Sequence, residues 1–150
     1  MRLAACLLLV AVACGSTVAL DPVAPTGLSI RTAEGTVTLE VEVADTATER
    51  QAGLMGRESL DPYDGMAFIW DQPVASSFWM KDTLIPLSIA FWDVEGRIIS
   101  ILDMDPCTAD PCPTYGPDEP FVGAVEVGQG AFAVRGVAVG DAVELAVADA

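Results

Sequence analysis

Thr36–Asp45 reads TVTLEVEVAD. Val37, Leu39, Val41 and Val43 fall on one side of an extended chain, and Thr38, Glu40 and Glu42 fall on the other. That period of two predicts a half-buried strand with one wet face, the pattern of an antiparallel sheet. Directly after it, Thr46-Ala47-Thr48-Glu49 has the spacing of a capping box, with Thr46 as N-cap and Glu49 reaching back to the cap. A short helix to about Gly56 is therefore expected, weakened by Gly53.

Further along, LDPYDG at Leu60 to Gly65 punctuates the chain through its Asp-Pro and Asp-Gly pairs. Met66 to Trp70 reads as a short buried strand closed by Asp71-Gln72-Pro73, and Ser76 to Met80 as the next strand. Leu87 to Asp93 is another, and Glu95-Gly96 turns it back into RIISIL as a hairpin. A proline-rich loop follows from Asp103 to Glu119. Phe121 to Val127 is a strand, Ala131 to Arg135 one helical turn, and Ala142 to Val147 a last strand. Seven or eight short strands with one short helix near 46–56 predict a mainly β chain. The expected fold is a single compact antiparallel β-sandwich or barrel-like domain.

Met1-Arg2 followed by the apolar run Leu3 to Ala13 has the charge, length and small-residue exit of a secretory signal. The exit Ala11-Val12-Ala13-Cys14 resembles a lipobox, although Ala11 stands where leucine is usual. Lipidation of Cys14 is expected, with ordinary cleavage after Ala13 or Ala19 as the competing outcome. This gives a lipoprotein-type signal peptide over residues 1–13, a tether and lead-in over 14–35, and the β domain over 36–148. The expected address is the outer face of the cytoplasmic membrane or the cell envelope, or plain secretion if no lipid is added. The only membrane contact expected is the N-terminal anchor.

Seven basic residues against 22 acidic ones give a net charge of −15, the wrong sign for nucleic acid or anionic lipid. The chain contains no histidine, which removes the usual general base and the commonest metal ligand. Cys107 and Cys112 are too few thiols for a structural zinc site and lack the spacing of a redox pair. In an exported chain they are expected to form a structural disulfide. No metal site and no cofactor are expected. Asp103 and Asp105 lack the spacing of a calcium loop, and the methionines read as core filler.

The candidate chemistry gathers around Lys81, the only lysine of the chain, in FWMKDTLIPLSIAFW at Phe78 to Trp92. A solitary ammonium among bulky apolar side chains needs a partner or a purpose. An ion pair with Asp82, Asp105 or Glu126 is the structural expectation. A Ser–Lys dyad with Ser77, Thr83 or Ser88 would make a hydrolase, but the negative surroundings should raise the lysine pKa, not lower it. Arg50 and Arg57 are seven apart, so they project from nearly the same side of a helix. Each is expected either to pair with a nearby carboxylate or, together, to grip an anionic ligand as guanidinium forks. The candidate ligand-binding set is Arg50, Arg57, Trp79, Lys81, Asp82 and Glu126.

The motifs ER-x-x-GLM-x-R at Glu49 to Arg57, GMAF at Gly65 to Phe68 and FWMKDTLIPLSI at Phe78 to Ile89 resemble the DUF192 family. The likeness runs from about Val37 to Val147 and takes in Pro106-Cys107, Cys112-Pro113, Tyr115, Glu126-Val127 and Gly140-Asp141. Asp82 stands where the family commonly has Asn, and Ala67 replaces a larger apolar residue. The resemblance implies a compact, mostly β domain, often exported, and implies no reaction. Three functional readings follow. The first is an exported β domain binding a small ligand or an envelope protein. The second is an enzyme using Lys81 with a hydroxyl, and the third a passive envelope scaffold.

Overall fold

The computed structural model describes residues 26–146. The expected signal peptide over residues 1–13, Cys14 and residues 15–25 of the expected tether and lead-in lie outside them. Among the described residues nine strands and two short helices run in the order β1 Thr26–Thr32, β2 Gly35–Ala44, α1 Ala47–Ala52, β3 Gly65–Val74, β4 Phe78–Trp79 and β5 Leu87–Trp92. There follow β6 Ile98–Met104, β7 Thr114–Tyr115, β8 Phe121–Gly128, α2 Ala131–Val134 and β9 Ala142–Leu145.

Seven strands form one sheet in the order β6-β5-β8-β3-β2-β1-β9. The sheet curls until its two edges touch at one corner. There Arg97 bridges to Ala142, the Ile98 N–H donates to the Asp141 carbonyl at 2.9 Å, and the Val143 N–H donates to the Gly96 carbonyl at 2.7 Å. The result is a half-barrel with an apolar mass on each side of its central strands. Ala67, Ala90, Val125 and Val127 point to the inner core with Leu28, Ile30, Leu39 and Val41. Their neighbours Met66, Phe68, Ile89, Phe91 and Ala124 point the other way, to a second core with Met80, Leu87, Met104 and Phe121. Alternation along a pleated strand dictates this split, and it explains why β5 is buried at all six residues. On the inner side the Trp92 indole lies flat over its cross-strand partner Gly123, where a Cβ would come within 2.1 Å of the ring.

The expected β2 and capping box are present: the Thr46 hydroxyl accepts from the Glu49 N–H at 3.2 Å, and the Glu49 carboxylate accepts from the Thr46 N–H at 3.0 Å. Other expectations need correction. Thr26–Thr32, assigned to the tether and lead-in over 14–35, is a full strand hydrogen-bonded between β2 and β9. The sheet is not wholly antiparallel, because β2 and β3 run parallel, joined by the α1 crossover. α1 ends at Ala52, before Gly53 at φ 46°, not near Gly56. β3 continues past Asp71-Gln72-Pro73 to Val74 by way of a bulge, which is how a sheet tolerates proline. Ser76 to Met80 contributes only the two-residue β4, paired outside the main sheet with β7, which lies in the expected loop.

Candidate functional site

Three elements meet over the second core: α1 with the turn after it, the segment from β4 to Thr83, and the middle of β8. They enclose a small cleft of about 40 Å³, whose walls include Leu54, Met55, Phe68, Phe78, Trp79 and Thr83. At its base is Glu126. On β8 this residue follows Val125 and precedes Val127, both inner-core residues. Its side chain therefore projects to the opposite face, between Met66 of β3 and Ile89 of β5. The residue is only 4% exposed. Among the described residues no hydrogen bond reaches its carboxyl, and its oxygens keep a sliver of access into the cleft. Burial, with no compensating charge or donor, pushes its pKa up from 4.5 to about 8. At neutral pH the carboxyl therefore holds its proton.

The aromatic wall is built from rings packed edge to face. Phe68 and Phe78 meet edge to face with centroids 4.9 Å apart, and Phe78 in turn abuts Phe91 at 5.6 Å. Trp79, the next residue along β4, points the other way and is 53% exposed at the mouth of the cleft. Thr83 is buried, and its hydroxyl is turned toward the Lys81 carbonyl at 3.5 Å.

The other predicted residues are engaged elsewhere. Arg50 lines the cleft, but its guanidinium donates to the Asp45 and Ile69 carbonyls and stacks over the Trp70 ring at 5.0 Å. Arg57 forms a forked pair with Glu42 of β2, which holds its pKa above the ordinary arginine value. Each guanidinium thus has its own partner, and the two do not form a shared grip.

Lys81 pairs with Asp110, not with Asp82, Asp105 or Glu126. That hydrogen bond and the neighbouring negative charge raise its pKa, the wrong direction for a general base. Nor does it meet a serine: the Ser88 hydroxyl bonds to Asp103 and accepts from the Gly130 N–H at 2.9 Å. Asp82 has a backbone role. It sits at φ 54°, a left-handed conformation that Asn and Asp tolerate best, and its carbonyl accepts from the Gly56 N–H at 2.8 Å.

Cys107 and Cys112 form a disulfide. Its ring holds the β4–Thr83 segment in place. The Cys107 N–H donates to the Met80 carbonyl at 3.2 Å, the Asp82 N–H donates to the Cys107 carbonyl at 3.1 Å, and Asp110 inside the ring takes the Lys81 ammonium. The wall of the cleft is thus stapled from behind.

The model of the DUF192 family, described as "Uncharacterized ACR", matches residues 29–145. No curated protein matches the chain. A crystal structure at 1.22 Å of a protein of unknown function from Novosphingobium aromaticivorans DSM 12444 is similar, with 28% identity and a TM-score of 0.76 over 83% of this chain and 88% of that one. A second, from Sinorhizobium meliloti 1021 and described as a candidate transcription regulator, has 29% identity and a TM-score of 0.75 over 85% of this chain and 98% of that one. With the family's model spanning almost the whole of the described half-barrel, the chain belongs to the DUF192 family.

Proposed function

We propose that this chain is an exported, lipid-anchored β domain that binds a small ligand in the cleft above Glu126. One observation carries the reading: a carboxyl is kept in an apolar core, with no partner among the described residues, while facing a cavity. Such a group weakens the fold, and core positions ordinarily hold polar groups only when these are hydrogen-bonded. A ligand that completes its hydrogen bonding gives the position a use. Arg50, Trp79 and Thr83 belong to the same cleft. Arg57 and Asp82 support its frame, while Lys81 is taken up by a surface pair with Asp110. The transcription-regulator description of the Sinorhizobium protein is not carried over, because 22 acidic residues against seven basic ones repel phosphate.

The test is protein-observed NMR with a set of small amines, alcohols, amides and carboxylic acids. Binders are expected to shift the Trp79 indole and the Gly53, Leu54 and Thr83 amides, and to lose that effect in Glu126→Met. Binders that map instead to the cavity beside Ser88, Asp103 and Phe132 would refute the reading. The anchor is tested separately by intact mass of the membrane fraction, where Cys14 should carry the lipid increment.

A further inference from the structure

The geometry of the cleft points to a ligand class: we infer that its occupant is a small-molecule amine, whose protonated ammonium head inserts against Glu126 while its remainder leaves past Trp79. The inference rests on the cleft being the binding site.

Size limits the inserted group. A cavity of about 40 Å³ accommodates roughly two or three water-sized groups, so an aminomethyl head enters and a ring does not. Chemistry selects its charge. The walls supply the rings of Phe68, Phe78 and Trp79, together with the apolar Leu54 and Met55. Aromatic faces attract cations, and a carboxylate bonds an ammonium through a charge-assisted hydrogen bond roughly twice as strong as a neutral one. The charged groups facing the site from each packed element are few. α1 presents Arg50, whose guanidinium is committed to the Asp45 and Ile69 carbonyls and the Trp70 ring. β3 and β5 present Met66 and Ile89, β4 presents Phe78 and Trp79, and Thr83 adds a neutral hydroxyl. Among the lining residues Glu126 is thus the one acid, and no free cation competes with an incoming ammonium. An anion meets a carboxyl at the base and a net charge of −15 around it.

The proton balance is explicit. In the empty cleft the carboxyl is neutral. When R–NH3⁺ enters, Glu126 gives its proton to solvent and the carboxylate pairs with the ammonium. Binding therefore releases close to one proton at neutral pH, and affinity rises about tenfold per pH unit until the empty carboxyl ionises. A neutral ligand that accepts a hydrogen bond from the protonated carboxyl has the opposite dependence: it is lost as the carboxyl ionises.

The experiment compares propylammonium, 1-propanol and propionate by NMR titration of the full domain at several pH values between 6 and 8. Proton release is measured by calorimetry in two buffers of different ionisation enthalpy. Propylammonium is expected to bind, about tenfold more tightly at pH 7 than at pH 6, with release of nearly one proton. Glu126→Gln and Glu126→Met, each first shown to melt cooperatively, are expected to abolish it. If 1-propanol binds through Glu126 and propylammonium does not, the ammonium class is overturned and the cleft stands. If none of the three binds, or if binding survives Glu126→Met, the cleft itself is overturned as a site.

Discussion

Replacing Glu126 by methionine should make the protein more stable, and increasingly so as the pH rises. The carboxyl ordinarily titrates near 4.5 and is pushed up to about 8 by burial in the folded state. The folded protein therefore holds this proton more tightly than the unfolded chain does. The stability linked to it is fully present below about pH 4.5, declines as the pH climbs through about 8, and is level above that. At about 1.4 kcal/mol per pH unit, the decline across that interval amounts to roughly 5 kcal/mol. Methionine has a similar length, fits among Met66, Ile89 and Phe68, and carries no proton. It also removes a buried polar group without a partner, worth about 1–3 kcal/mol even at acid pH. Urea unfolding of the two proteins at matched pH isolates the effect, because the 21 other acidic residues contribute alike to both. The stability difference should widen by several kcal/mol between pH 4.5 and pH 9. A difference that is flat with pH, or a variant less stable at pH 8, would refute the reasoning.

Other perturbations separate the frame from the site. Cys107→Ser with Cys112→Ser should lower stability by about 2 kcal/mol by calorimetry, as expected for opening a small ring, and should speed hydrogen exchange at Met80 to Thr83. Gly123→Ala forces a methyl group into the Trp92 ring and should cost about 1–3 kcal/mol in urea titration, with a change in near-ultraviolet circular dichroism. Thr46→Ala removes the N-cap of α1 and should cost about 1 kcal/mol, measured by thermal unfolding. Lys81→Ala breaks only a surface pair, so the thermal midpoint and the cleft's ligand binding should both stay essentially unchanged.

Much of the frame was legible in local pattern. Alternation over Thr36–Asp45 marked β2, the Thr46–Glu49 spacing marked α1, and Glu95-Gly96 marked the β5–β6 hairpin. The cysteine pair was legible from its loop and spacing. β1 was not, because Pro22 and Pro25 suggested a tether, although Leu28 and Ile30 alternate with Ser29 and Arg31. The parallel β2–β3 pairing was hidden as well, since pairing direction is set by tertiary packing over a crossover. For Lys81 the neighbours in sequence were poor guides: its acid, Asp110, is delivered from a distant loop by the disulfide ring. Glu126 did carry a signal, as the lone charge in the apolar run FVGAVEVG at Phe121 to Gly128. A single acid in a strand buried on both faces is visible from composition. That no donor among the described residues meets it is a fact of three dimensions, and it reverses the charge expected of the ligand from anion to cation.

The protonation state of Glu126 tests the account most directly. Carbon-13 NMR of its side-chain carboxyl, assigned through the Glu126→Gln variant, reports ionisation of that one group across pH. The structure predicts a neutral carboxyl at pH 7 and a midpoint near 8. A carboxyl already ionised at pH 7, titrating in the ordinary range near 4.5, would show that the group is solvated or paired and would contradict the account.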